Sequence, residues 1–352
     1  MKKLLFCTVF CVFSFALQAQ VFEGTVYDAN TKETIPGVVI YLGGTSIITV
    51  SDTDGNFRLE VNQKINADLV FNHLSYNPLV VKSPFERFEK RVFLTEKMNT
   101  ISEAKVVADQ FTWAEKMAVF REQFLGKSPA GKSCVIINEN DIIINFDNTT
   151  NTLSGYSNRP LVVENKYLAY RITFDLQRFS VQYSARTLNM NKAITVSFSG
   201  TASFVDQNPY NIRFKTRRND KYLRSPQYFW KNFTAGTLED AHFRLFNRLK
   251  KIEVGEYFIT VNTPAQKSVL IIPGTNIKRS YERFEEESIY GVIRIMYDNK
   301  FTSEVVFLTN RFSFDDFGNP DSIDKLVYFG DMGDQRLGDM LPMDFIYTSL
   351  DK

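Results

Sequence analysis

The 352-residue sequence predicts a mainly β protein, an antiparallel β-sandwich at the front followed by a β-rich α+β segment. Three observations predict it. From Val21 to about Asp109, short apolar runs are punctuated by the turn pairs Pro36-Gly37, Gly43-Gly44, Asp54-Gly55 and Asn77-Pro78, the spacing of a small all-β sandwich. Phe57-Arg58-Leu59-Glu60-Val61 alternates apolar with charged residues, as a strand with one buried face requires. Further along, apolar and aromatic runs of strand length recur, with few stretches of helical spacing between them.

The chain opens with Lys2 and Lys3 before an apolar run, Leu4 to Leu17, and the small-residue site Gln18-Ala19-Gln20. This is the pattern of a secretory signal peptide cleaved near Ala19 or Gln20. The run is short for a bilayer span, and no later segment supplies the ~20 consecutive apolar residues of a transmembrane helix. Cys7 and Cys11 follow Phe6 and Phe10 rather than the small residues of a lipobox, so no lipid anchor is expected. The expected location is exported, periplasmic or peripheral to the outer membrane. Loss of residues 1–20 removes two lysines and no acid, taking Lys+Arg from 42 to 40 against 40 Asp+Glu. A balanced chain has no global field for nucleic acid or an anionic membrane, and export removes nucleic acid as a partner.

A mature chain of about 330 residues exceeds the usual size of one domain. The expected division is a signal peptide over 1–20, the sandwich over 21–109 and a β-rich α+β domain over 110–352. In the front part, Val38 to Leu42 and Leu69 to Phe71 are continuously apolar, as strands covered on both faces would be. Asp52-Thr53-Asp54-Gly55 is not a calcium loop, because with Gly55 in the sixth place the first and twelfth ligand positions fall on Val50 and Val61. It reads as a tight turn in which Gly55 takes positive φ and aspartate side chains bond nearby amides.

These residues carry a resemblance. Gly24-x-Val26-x-Asp28, Pro36-Gly37, Gly44-Thr45, Thr53-Asp54-Gly55-x-Phe57-x-Leu59 and Leu74-Ser75-Tyr76 resemble the carboxypeptidase-like regulatory domain, which implies a transthyretin-like sandwich. Ile101 to Asp109, "ISEAKVVAD", is similar to the last strand of that domain in outer-membrane receptor proteins of Bacteroidota; Ser75 departs from the glycine many members carry before the aromatic residue. "FREQFLG", "PLVVENKYLAYRITFDLQRF", "SPQYFWKNF" and "RLGDMLPMDF" resemble exported proteins in which a β-rich segment follows this front domain. The resemblance implies a location and an architecture, and no reaction.

"GKSPAGKS", Gly126 to Ser133, matches the phosphate-loop pattern G-x-x-x-x-G-K-[ST]. A capping box at Thr112-Trp113-Ala114-Glu115 precedes it, with Trp113, Met117, Phe120 and Phe124 as one helical stripe, and Gly126 stands where a left-handed cap would end that helix. The β-like runs Cys134 to Ile137 and Ile142 to Ile144 follow. A phosphate loop needs a strand before it and a helix starting at its Lys-Ser end, so the order here is the reverse. Asp147 is then a strand-end residue before the turn Asn148-Thr149-Thr150-Asn151, not a magnesium ligand. Cys134 is the only mature thiol, without an intramolecular partner, and its expected role is that of a small buried hydrophobe.

Further strands are expected at Ile142–Phe146, Thr152–Tyr156, Tyr170–Phe174, Tyr257–Val261, Val269–Ile272, Val292–Tyr297 and Val305–Leu308, with a turn at Gly318-Asn319. Ser225 with Pro226 should cap a helix bearing Tyr228, Phe229, Trp230 and Phe233, and Thr237-Leu238-Glu239-Asp240 resembles another helix start.

No catalytic, cofactor or metal set is expected. The histidines, His73 and His242, are far apart and begin neither H-x-x-E nor H-E-x-x-H, and no G-x-S-x-G occurs. Glu285-Glu286-Glu287 and Asp315-Asp316 read as solvated charge runs rather than a glycosidase pair. The candidate interaction patch is Lys215, Arg217, Arg218, Lys221 and Arg224, which could hold an anionic glycan, a lipid headgroup or an acidic protein surface, against the plainer reading of basic side chains on solvent. The expected function is an exported non-enzymatic binding or scaffold protein of the cell envelope with an outer-membrane protein partner. The alternative is a periplasmic hydrolase or glycan-binding protein with its site in the second domain.

Overall fold

A computed structural model describes residues 20–97, 110–263, 267–272 and 289–349. Residues 1–19, the Ile101–Asp109 run and Glu285–Glu287 lie outside them.

The front of the chain forms seven strands: β1 (Gln20–Asp28), β2 (Val39–Leu42), β3 (Ile48–Val50), β4 (Asn56–Val61), β5 (Leu69–His73), β6 (Tyr76–Val81) and β7 (Arg91–Leu94). They build two sheets, β4-β1-β7 and β3-β2-β5-β6, antiparallel except that β1 and β7 run parallel. Phe22, Val26, Ile40, Leu42, Phe57, Leu59, Phe71 and Val92 fill the space between them. β4 alternates exposed and buried along its whole length, as its sequence requires. Asp52 Oδ1 accepts from the amides of Asp54 (3.0 Å) and Asn56 (2.8 Å), and Gly55 takes φ 76°, so the Asp-Gly stretch is a turn. Two resembling residues meet across the sandwich: Asp28 Oδ1 accepts from the amides of Asn30 and Thr31, and Oδ2 accepts from the Tyr76 hydroxyl at 3.0 Å. The bonds from Thr31 and Asn30 hold the Asp28 carboxyl below its usual range.

The middle of the chain starts with α1 (Trp113–Leu125) and the one-turn α2 (Pro129–Lys132). Thr112 caps α1 by accepting from Glu115 N, while Glu115 accepts from Thr112 N at 2.8 Å. Met117, Phe120 and Phe124 are fully buried, but Trp113, one turn earlier in the same stripe, is 42% exposed because the apolar cover ends there. Next come β8 (Cys134–Ile136), β9 (Ile142–Asp147), β10 (Thr152–Ser157), β11 (Leu161–Asn165), β12 (Tyr170–Tyr183) and β13 (Ala193–Asp206). They form one sheet, β8-β11-β12-β10-β9, in which β11 and β10 share one side of the long β12 and β13 takes the other. Inward residues of this sheet pack with α1 into one core.

A second core surrounds α4. After α3 (Ile212–Leu223), Ser225 Oγ accepts from Tyr228 N at 3.1 Å to start α4 (Pro226–Ala235). There follow β14 (Phe243–Asn247), β15 (Lys250–Ile252), one-turn α5 (Val254–Tyr257), β16 (Phe258–Asn262), β17 (Lys267–Ile271), β18 (Gly291–Tyr297), β19 (Phe301–Phe307), β20 (Arg311–Phe314) and β21 (Leu326–Gly330). The sheets β15-β14-β18-β19-β21 and β16-β17-β20 enclose Phe229, Trp230 and Phe233. No helix starts at Thr237-Leu238-Glu239-Asp240. Gly236 ends α4 in the left-handed region, the Thr237 amide bonds Asn232 O, and one turn then carries the chain into β14. Leu238 and Ala241 are buried in that turn, so the apolar spacing that suggested a helix serves the core instead.

The front sandwich is joined to the rest along a seam. Gly44 N donates to Ala202 O (2.7 Å), Phe204 N to Thr45 O (2.9 Å) and Met343 N to Gly44 O (2.8 Å). The Tyr41 hydroxyl bonds Thr201 Oγ1 (2.8 Å), Ser46 donates from N and Oγ to Asp344, and Asn66 N donates to Asp315 Oδ2 (2.9 Å). This contact explains the continuously apolar β2: Tyr41, which points away from the sandwich core, is covered too.

Candidate functional site

The order through Gly126–Ser133 is helix, one-turn helix, strand. Gly126 ends α1 at φ 102° with ψ 165°, a positive-φ cap with extended rather than left-handed ψ. Ser128 starts α2, with Pro129 in its first turn, and accepts from Gly131 N at 3.0 Å. Lys132 and Ser133 therefore lie at the carboxyl end of a helix, where the dipole repels phosphate. The second glycine of the pattern has another cause. A Cβ on Gly131 would stand 2.4 Å from Gly126 O, and one on Gly338 would stand 2.5 Å from the Gly131 Cα, so two backbones touch there. Gly131→Ala is expected to cost ~1–3 kcal/mol, as overpacking does, read as a lower urea midpoint with no change in nucleotide binding.

Beside that contact lies a cavity of about 440 Å³ between the carboxyl ends of α1 and α3 and the chain from Asp331 to Asp339. Its charged lining is Glu122, Asp331, Asp334 and Asp339 with Lys127, Lys221, Arg224 and Arg336. Acids and bases balance, and most are paired: Lys127 with Glu122 (2.8 Å), Lys221 with Asp339 (2.5 Å) and Arg224 with Asp331. Asp339 is buried and also accepts from Ser128 Oγ at 2.6 Å, tying the loop to the "RLGDM" segment. Asp334 is exposed, and Arg336 Nη1 donates to the carbonyls of Gly333 and Gln335. A groove so neutralised can offer donors and acceptors side by side without a net field.

Three of the five basic residues singled out from the sequence meet carboxylates. Arg218 is buried and grips Asp206 with two bonds (2.5 and 2.7 Å), while Lys221 and Arg224 enter the cavity wall as above. Arg217 lies 4.0 Å over the Tyr167 ring and donates to Tyr167 O. Lys215 is half-buried at a smaller pocket with Ser46, Asp206 and Asp344. They therefore do not form one continuous cationic surface, because the 12-residue α3, with Arg224 just past its end, distributes them around the helix axis, and Asp206, Asp331 and Asp339 meet three of them. The sequence offered no signal for Asp339 and Asp331 as the partners of Lys221 and Arg224 beyond the recurring Gly-Asp pairs of residues 330–339.

Cys134 is half-buried, its thiol donating to Ala130 O at 3.3 Å; burial first and Asp339 second push it up to about 12. Iodoacetamide at pH 8 is expected to leave it unmodified in the folded protein and to label it fully in urea, as mass spectrometry would read. Asp315 accepts from Phe317 N, Asn319 N and Asn319 Nδ2 as well as Asn66 N, and burial still holds its carboxyl above the usual range. It organises the Gly318 turn and the seam rather than lining the cavity. Asp147 accepts from Thr149 N at 2.7 Å at its strand end. His73 accepts from Ser75 N on the front sandwich, whereas His242 stands in the turn before β14. Among the described residues no group of three or more His, Cys, Asp or Glu is placed to hold a metal ion, and no helix is long and apolar enough to cross a membrane.

No curated protein matches the chain at a significant level. Residues 22–107 match the CarboxypepD_reg-like domain, so the sandwich at the front of this chain is a domain of that family.

Proposed function

We propose that the protein is an exported, non-enzymatic binding or scaffold component of the cell envelope, periplasmic or peripheral to the outer membrane, whose partner belongs to an outer-membrane protein assembly. The observation that supports this reading most is the seam. The regulatory-type sandwich is held by backbone bonds to β13 and to Met343, and by side-chain bonds at Ser46, Tyr41 and Asn66. Sandwich and second segment thus offer a partner one fixed surface, which lowers the ordering cost of binding. Arg218 and Lys221 of α3 and Arg224 at its end are spent on internal carboxylates, consistent with a mounting role for that helix. A photo-cross-linking residue at Leu74 or Leu249, both strongly exposed, should capture one defined envelope protein in cells. Recovery of no specific partner from either position sinks the proposal.

A second reading, a periplasmic hydrolase or glycan-binding protein, is favoured by the balanced cavity, since sugar hydroxyls both donate and accept. Asp334→Asn with Arg336→Ala would then abolish glycan binding or turnover, while Arg336→Ala alone, which also loses the bonds to Gly333 O and Gln335 O, would report any change in melting temperature. Unchanged binding in that double variant would exclude the cavity as the site.

A further inference from the structure

β13 is 14 residues long and pairs along one side with β12. From Ala193 to Val205 it holds no charged residue and no proline, the devices that commonly keep a sheet edge from pairing with another chain. Its other side is closed at one end by the front sandwich, through the bonds of Gly44 and Thr45 to Ala202 and Phe204 and the parallel bridge Thr45–Ser203. Those bonds place the backbone groups of Ala202 and Phe204 away from β12. The pairing shifts register between Leu176 and Arg178, but the extra residue, Gln177, is on β12 and β13 runs on unbroken, so by the alternation of a strand the groups of Gly200, Phe198 and Val196 point the same way. At the other end Ile194 is an extra residue, because Gln182 faces Thr195 and Tyr183 faces Ala193, and this bulge ends the regular edge. Between the two stops, Thr195 to Thr201 has no partner strand on its outer side among the described residues.

We propose that this edge pairs antiparallel with the same edge of a second copy of the chain, about a two-fold axis at Phe198. The window between the stops is symmetric about that residue, so outward-pointing backbone groups meet each other: Phe198 faces Phe198, and Val196 faces Gly200. Val196 and Phe198 already pack on the core beneath the sheet, and Gly200 leaves open the space beside Val196. Gly200 is itself demanded by its own chain, since a Cβ there would stand 2.1 Å from Asp175 O. On the solvent face the exposed Thr195, Ser197 and Ser199 meet uncharged residues, so no like charges are opposed.

The flanks select a second copy over an unrelated strand. Beyond one stop stands exposed Lys192, which has no ion pair among the described residues. Beyond the other stands Asp344, its carboxylate held by Ser46 N and Oγ beside the Thr45 bridge. Antiparallel pairing brings the Lys192 end of each copy to the Asp344 end of the other. The contact is isologous and closes at a dimer.

Light scattering on the mature chain at increasing concentration should give twice the protomer mass. Ser197→Lys/Ser199→Lys, which opposes lysine to lysine across the pair on exposed positions, should return the monomer with an unchanged circular-dichroism spectrum. A mixture of Ser197→Cys and Ser199→Cys chains should form disulfide-linked heterodimer faster than either chain alone. A monomeric wild type at every concentration, a dimer indifferent to the two lysines, or a mixture with no cross-linking advantage would each overturn the proposal. So would a monomer whose Val196, Phe198 and Gly200 amides are protected from exchange, which would assign the edge to another segment of the same chain.

Discussion

Arg218→Ala is expected to lower unfolding stability by ~3–5 kcal/mol, the range for breaking a buried ion pair from one side. The guanidinium makes two bonds to Asp206, donates from Nε to Leu168 O (2.8 Å) and from Nη2 to Ala169 O (3.1 Å), and lies 4.1 Å over the Tyr170 ring. Its side chain is 4% exposed, whereas that of Asp206 is 30% exposed, so water can recover part of the aspartate's loss but little of the carbonyls'. Arg218→Lys should rescue little, because a point ammonium cannot serve a planar fork and two carbonyls together. Denaturant midpoints at equal slope would measure both. A loss under ~1 kcal/mol for the alanine variant would place the pair with ordinary surface bridges.

The second large effect is expected at Trp230. The residue is fully buried, stacks on Phe314 at 4.7 Å and contacts Phe229, Phe233 and Phe312 edge-on. Its indole N–H donates to the Tyr328 hydroxyl at 2.6 Å. Trp230→Ala should cost ~3–5 kcal/mol, the usual range for emptying an aromatic site in a core. Trp230→Phe should cost less, because the ring packing is largely kept while the Tyr328 hydroxyl loses its donor. Hydrogen exchange should show the loss concentrated in β16–β20 around α4, with β1–β7 little changed. Uniform loss of protection across both regions would show that the two cores unfold as one unit.

Features governed by neighbours in the chain were legible before any coordinates. The alternation of β4, the Thr112–Glu115 box, the Ser225–Pro226 start and the Asp52–Gly55 turn each depend on a few adjacent residues, and each stands as read. Thr237–Asp240 was misread because the same polar-start, apolar-follow pattern also suits a buried turn. Only the pairing of β14 with β18 shows which one forms. Trp113 stands in the helix as read, and its exposure was illegible for a related reason: a stripe shows which face is apolar, but not how far its cover extends.

The candidate site was legible as a set of residues and illegible as a place. Lys221 and Arg224 stood out as cations, but Asp339 and Asp331, the acids they meet, lie more than a hundred positions away. The phosphate-loop match was rejected on helix polarity, yet why Gly131 must be glycine emerged only when Gly338 was found against it.

The sequence by itself determined the mainly β character, the front sandwich with its resemblance, and the polarity that rules out a phosphate loop, since period, caps and turns are local properties of the backbone. Only the tertiary structure decided that Arg218, Lys221 and Arg224 meet carboxylates, that a balanced cavity opens beside the last two, and that the sandwich is seated on β13. Those outcomes depend on docking and register between distant segments, which are set by the shape of the packed cores and leave no periodic trace in the chain.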